Sequence, residues 1–188
     1  GVPDALADPT LELRGSNGTV ILANDDWQSD PAQAAQLNAL GLALQNPKES
    51  GVVATLQPGS YTAVLSGTNQ TTGVGLMEIY DTNPAVNSQL ANISTRGLVL
   101  ASDNVMIGGF ILGGSNDTRV VVRGIGPSLA EFGLSPVLVD PTLELRNSDG
   151  ALLVSNDDWE SDPAQAAQLT AFGLAPSDSK ESGIFASL

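Results

Sequence analysis

Short runs in which apolar and polar residues alternate recur along the chain, separated by turn residues. In Thr10-Leu11-Glu12-Leu13-Arg14 the leucines fall on one side and Glu12 and Arg14 on the other, the period of a half-buried strand. Gly15-Ser16-Asn17-Gly18 then predicts a tight hairpin into Thr19-Val20-Ile21-Leu22, because Asn and Gly both tolerate positive φ. A second hairpin is expected from residues 51–56, through a Gln57-Pro58-Gly59-Ser60 turn, into Tyr61-Thr62-Ala63-Val64-Leu65. Gly75-Leu76-Met77-Glu78-Ile79-Tyr80 reads as a closing strand, and residues 104–112 and 118–123 as central strands.

The pattern changes at Asp30. Asp30 suits a helix cap, Pro31 the first turn, and Gln33 the third position of a capping box. Ala32, Ala34, Ala35, Leu37, Ala39 and Leu40 favour helix, and Gly41 can end it. Asp162, Pro163, Gln165 and Gly173 repeat these signals, and a short helix is expected from Pro127 to Phe132. The elements together predict a mainly β fold: antiparallel, jelly-roll-like β-sandwich domains in tandem, with short helical insertions.

A long internal repeat organises these elements. Residues 1–56 align with residues 133–188 without a gap, at an offset of 132, and 34 of the 56 pairs are identical. A period of this length is domain-sized, well beyond the ~20–50 residues of a solenoid repeat. The polar stretch at residues 81–87, which contains Pro84, is the expected boundary. Residues 1–81 then form the later part of one repeat domain, and residues 82–188 most of the next. Two readings follow: a window on a longer array, or unfinished sheets that a neighbour completes, since unpaired strand edges invite pairing.

Composition narrows the chemistry. The chain has no cysteine and no histidine, which removes disulfides, thiolate sites, Ser-His-Asp triads and imidazole-held zinc. A glycosidase using two carboxylates is the enzyme class left open, and the expectation is no enzyme. A net charge of −14 disfavours nucleic acid; it suits either cations or simple solubility. The longest apolar stretch, residues 97–114, is broken by Ser102, Asp103 and Asn104, so no transmembrane segment is expected. No secretion signal opens the chain, and one is expected to have been removed or to lie outside it.

Asp25, Asp26 and Asp30, with Glu49 as a remote ligand, form a candidate calcium site, because calcium takes six to eight hard oxygen ligands. Asp157, Asp158, Asp162 and Glu181 form its second copy. The structural alternative is that Asp30 caps a helix while its neighbours make turns. Trp27 and Trp159 are candidates for stacking on a sugar ring, or else seal the edge of a core. Arg123-Gly124-Ile125-Gly126-Pro127-Ser128 reads either as a phosphate cradle or as a tight strand-to-helix turn. Asn17, Asn69, Asn92 and Asn116 lie in glycosylation sequons.

Asp8, Leu11 and Leu13, then Gly18, Ile21, Asn24, Asp25 and Asp26, then Leu56, Pro58, Gly59 and Tyr61 fit a known pattern. In these residues the chain resembles the bacterial pre-peptidase C-terminal domains, with their D-x-x-L-x-L strand, G-x-x-L-x-x-N-D-D strand and L-x-P-G-x-Y hairpin. It also resembles secreted tandem repeats of environmental bacteria that carry R-G-I-G-P-S-L, here residues 123–129. The helix inserted at Pro31 departs from the pre-peptidase pattern. The resemblance implies a secreted, non-catalytic sandwich, located outside the cell or on its surface. The expected function is a structural or adhesive repeat protein that assembles with copies of itself into a filament or surface layer by strand complementation. The alternative is a calcium- or polysaccharide-binding accessory module of a secreted hydrolase.

Overall fold

The computed structural model describes residues 4–82, 91–100, 105–113 and 118–188. The chain divides into two compact units, Gly1–Ile93 and Ser94–Leu188. The boundary expected at residues 81–87 falls mostly outside the described residues.

The first unit is built on strands β1 (Pro9–Gly15), β2 (Val20–Asn24) and β3 (Tyr61–Gly67), with helix α1 (Pro31–Ala39) between β2 and β3. The sheet is antiparallel, in the order β2-β1-β3. The β1–β2 hairpin forms where the alternation places it, but its turn is longer than a two-residue one. Gly15 N donates to Thr19 O at 2.9 Å and Gly18 N to Gly15 O at 2.9 Å, with Gly18 at φ 79. This is a three-residue loop with glycine in the left-handed position, and the register slips between Leu13 and Arg14. Asn17 contributes its side chain instead of a positive φ: its Oδ1 accepts from Thr19 N at 3.0 Å.

The second unit contains β4 (Arg119–Gly124), a 3-10 turn (Pro127–Phe132), β5 (Leu143–Arg146), β6 (Leu152–Asn156), helix α2 (Pro163–Ala171) and β7 (Ser182–Ser187). β5 pairs with β6, and β4 with β7, both antiparallel. β5, β6 and α2 are the repeat counterparts of β1, β2 and α1. Among the described residues β5 pairs with β6 alone, whereas β1 pairs with both β2 and β3.

Both helices start as their sequence predicts. Asp30 Oδ1 accepts from Ala32 N and Gln33 N, and Asp162 Oδ1 from Ala164 N and Gln165 N. Gly41 and Gly173 follow the last turns at φ 72 and 66. Removing either cap, by Asp30→Ala or Asp162→Ala, is expected to cost about 1 kcal/mol. Urea titrations followed by circular dichroism check this.

Three expectations fail. The second hairpin does not form: Tyr61–Gly67 pairs with β1 instead of with residues 51–56, which make no strand. Residues 75–80 and 105–112 are not strands either, because no partner lies beside them among the described residues; Asn104 lies outside those residues. Gln33 does not close a capping box, since its Oε1 accepts from Val53 N at 2.6 Å, twenty residues away. The fold is thus mainly strands in antiparallel sheets with few helices.

The core is small. Trp27 and Leu37 are buried in the first unit, and Leu145, Leu169 and Ile184 in the second. Gly51 and Gly183 press against the leucine of the neighbouring helix: a Cβ there would meet Leu37 Cδ1 at 3.0 Å and Leu169 Cδ1 at 2.7 Å. That glycine brings the Lys-Glu-Ser-Gly segment of each copy onto its helix.

Candidate functional site

The Asn-Asp-Asp-Trp motif ends β2 and β6, and its asparagine works as a clamp in both copies. Asn24 Nδ2 donates to Asp26 O at 3.0 Å, and its Oδ1 accepts from Gly51 N at 2.9 Å. Asn156 repeats both bonds, to Asp158 O at 3.0 Å and from Gly183 N at 2.8 Å. The indole-bearing residue adds a backbone bond: Trp27 N donates to Glu49 O, and Trp159 N to Glu181 O, each at 2.8 Å. Gln165 Oε1 accepts from Phe185 N at 2.7 Å, as Gln33 does from Val53. Strand end, helix and Lys-Glu-Ser-Gly segment are therefore tied together identically in the two units. Lys48 and Lys180 pair with Asp8 and Asp140, and that hydrogen bond, then the carboxylate charge, raises each lysine above its ordinary value.

Among the expected calcium ligands, Asp25, Asp30 and Asp162 accept hydrogen bonds through their carboxylates. Asp30 and Asp162 cap helices. Asp25 Oδ1 accepts from Thr68 Oγ1 at 2.8 Å. Asp26 and Asp158 accept through their backbone carbonyls, from Asn24 and Ser29 and from Asn156 and Ser161. Asp157 is exposed. Among the described residues, no three of His, Cys, Asp and Glu gather to hold a metal ion. Trp27 is 5% exposed and offers no open face for a sugar, while Trp159 is half-buried. Asn17, Asn69 and Asn92 are exposed; Asn116 lies outside the described residues.

The two glutamates separate the copies. Glu181 is 0% exposed, and the Gly-Ile-Gly-Pro-Ser loop closes over it. Its Oε1 accepts from Gly126 N at 3.1 Å, from Ser128 N at 3.0 Å and from Ser128 Oγ. Its Oε2 accepts from Asp178 N at 3.4 Å. Burial alone would push this carboxyl up, but the bonds from Ser128, Gly126 and Asp178 outweigh it and hold the group below its ordinary value. The glycine-rich loop is an anion cradle after all, and the anion is the chain's own. Glu49, its counterpart, is half-buried, and among the described residues its carboxylate accepts only from Asn46 N, at 3.2 Å.

The strands beside these glutamates differ in the same way. β7 lies against β4, and just beyond the two strands Thr118 and Leu188 exchange N–H···O bonds of 2.8 and 3.0 Å. In an antiparallel pair such exchanges recur at every second residue, so Ala186, Ile184 and Ser182 bond to β4. Gly183 and Phe185 point the other way, to Asn156 and Gln165. Residues 51–56 keep the second set of anchors, through Gly51 and Val53. They lack the first: among the described residues, Val52, Ala54 and Leu56 make no backbone hydrogen bond.

Sequence reasoning missed this latch. The signals were present: an identical Lys-Glu-Ser-Gly in both copies, and a glycine-rich loop with backbone donors but no matching phosphate motif. No helix among the described residues is long and apolar enough to cross a membrane. Comparison with protein-family models, curated proteins and solved structures finds no match.

Proposed function

We propose that this chain is a non-catalytic structural protein of the cell exterior, built from tandem β-sandwich repeats that are completed by strands from neighbouring units. In this reading the units join into a filament or surface layer. The observation that carries it is the domain-sized repeat, whose two copies are tied together by the same Asn, Gln and Trp hydrogen bonds. Exposed apolar side chains add support. Leu76 is 81% exposed, Ile107 86% and Ile111 97%, each within a run whose sequence reads as a strand. The missing histidine and cysteine, and the carboxylates committed to caps and latches, fit a scaffold better than a catalyst.

Negative-stain electron microscopy of the protein isolated from its source tests this. Uniform filaments or sheets are expected. Single compact particles at every concentration would contradict the reading.

A further inference from the structure

We infer that Asn17 is a site of spontaneous covalent modification, at which the loop of the β1–β2 hairpin converts its own side-chain amide to aspartate or isoaspartate and releases ammonia. Asn17 and Gly18 are both exposed, and Gly18 has no side chain to obstruct its backbone nitrogen. A Cβ placed there would meet nothing within 4 Å. Thr19 N donates to Asn17 Oδ1 at 3.0 Å, an Asx-turn that folds the carboxamide back over the Asn17–Gly18 peptide. The same bond draws electron density from Cγ, and it aims an N–H at the oxygen that becomes negative when Cγ is attacked.

Gly18 N gives up its proton to solvent base and bonds to Asn17 Cγ. The Cγ–Nδ2 bond then breaks, and the nitrogen takes a proton from water and leaves as ammonia. Water opens the resulting cyclic imide at one carbonyl or the other, giving aspartate or isoaspartate. The net change is water consumed and ammonia released, with nothing oxidised or reduced. The 2.9 Å bond from Gly18 N to Gly15 O must open first, and Gly18 is exposed to the base that acts there. Other asparagines lack these conditions. Asn46 precedes Pro47, which has no N–H to attack with. Asn24 and Asn156 are clamps, with both ends of the amide bonded.

The second unit holds the same loop without the activating bond. Asp149-Gly150 is the counterpart of Asn17-Gly18, with Gly150 at φ 80 and Gly18 at φ 79. Asn147 stands there in place of Gly15, and its Oδ1 accepts from Asp149 N at 3.1 Å and from Ala151 N at 2.9 Å. Ala151 N, the counterpart of Thr19 N, is thereby committed to another side chain. Asp149 also shows that an aspartate product is tolerated, because the β5–β6 hairpin forms with the same register slip as β1–β2. Isoaspartate instead adds a backbone carbon to the loop that sets the register. Either product adds a negative charge to a chain already at −14. The chemistry needs only the loop and water, so it is independent of assembly.

Incubation of the full chain in mildly alkaline buffer, with peptide mapping by mass spectrometry, tests the site. Asn17 is expected to convert before any other asparagine, to a mixture of aspartate and isoaspartate. Gly15→Asn copies the second unit's arrangement and should divert Thr19 N. It should slow conversion about fivefold, since a single donor in water is worth far less than one in a dry site. Asp149→Asn gives the second unit an Asn-Gly pair while Asn147 still holds Ala151 N. The substituted position should convert about fivefold more slowly than Asn17 in the same molecule. Equal rates at the two positions would overturn the inference, as would a Gly15→Asn chain that converts as fast as its parent. So would an Asn17 that keeps its amide in the folded chain and loses it only in urea.

Discussion

Glu181→Ala is expected to destabilise the second unit by about 3 kcal/mol, whereas Glu49→Ala should cost the first unit under about 1 kcal/mol. The side chains are repeat counterparts, so propensity and local sequence cancel in the comparison. What differs is the company. Glu181 is wholly buried and takes four hydrogen bonds, from Gly126, Ser128 twice and Asp178. Alanine would leave the Gly126 and Ser128 amides buried without an acceptor, and an orphaned buried donor costs its full desolvation. Glu49 loses one long bond from Asn46. Urea unfolding followed through amide signals of α1 and α2 separates the two units. Acid gives a second readout. The folded value of Glu181 lies below its ordinary 4.5, so its stabilisation is complete above that value and is lost as pH falls through the folded one. Glu181→Ala should flatten that part of the acid-unfolding curve for the second unit and leave the first unit's unchanged.

The asparagine clamps should show the reverse asymmetry. Asn24→Ala removes the acceptor for Gly51 N and the donor to Asp26 O, at a cost of about 2 kcal/mol. Among the described residues only Gln33 would then hydrogen-bond residues 51–56 in the first unit, so that segment should detach. Asn156→Ala removes the same bonds, but β4 still holds β7 along six paired residues. Similar losses of stability should therefore accompany different losses of structure. Amide exchange at Val53 should rise sharply in Asn24→Ala, while exchange at Phe185 in Asn156→Ala should rise far less. Equal rises would mean that β4 contributes little to holding β7.

This asymmetry explains what could be read from the sequence. The helices were legible because their signals are local: Asp30 and Pro31 start one, and Gly41 ends it within a dozen residues. The β1–β2 hairpin was legible for the same reason, with both strands and the turn in one short stretch. Residues 51–56 were not. Their composition is that of β7, but a strand exists only where another backbone satisfies its outward groups, and that backbone lies sixty or so residues away in the copy that has it. The L-x-P-G-x-Y stretch suggested a hairpin because its two arms adjoin in sequence, yet Tyr61 begins a strand that pairs with β1. The acidic residues were legible as a cluster and not as separate roles. Capping by Asp30 needs only its own helix, whereas the latch at Glu181 needs a loop more than fifty residues upstream.

The most direct test of the account is residue-resolved amide hydrogen exchange on the dilute full chain. The account predicts protection at Ile184 and Ala186, which face β4, and fast exchange at their counterparts Val52 and Ala54, which face an open edge. Equal protection at the two sets in dilute solution would mean that the edge of the first unit is already paired, and would contradict the claim that a neighbouring unit completes it.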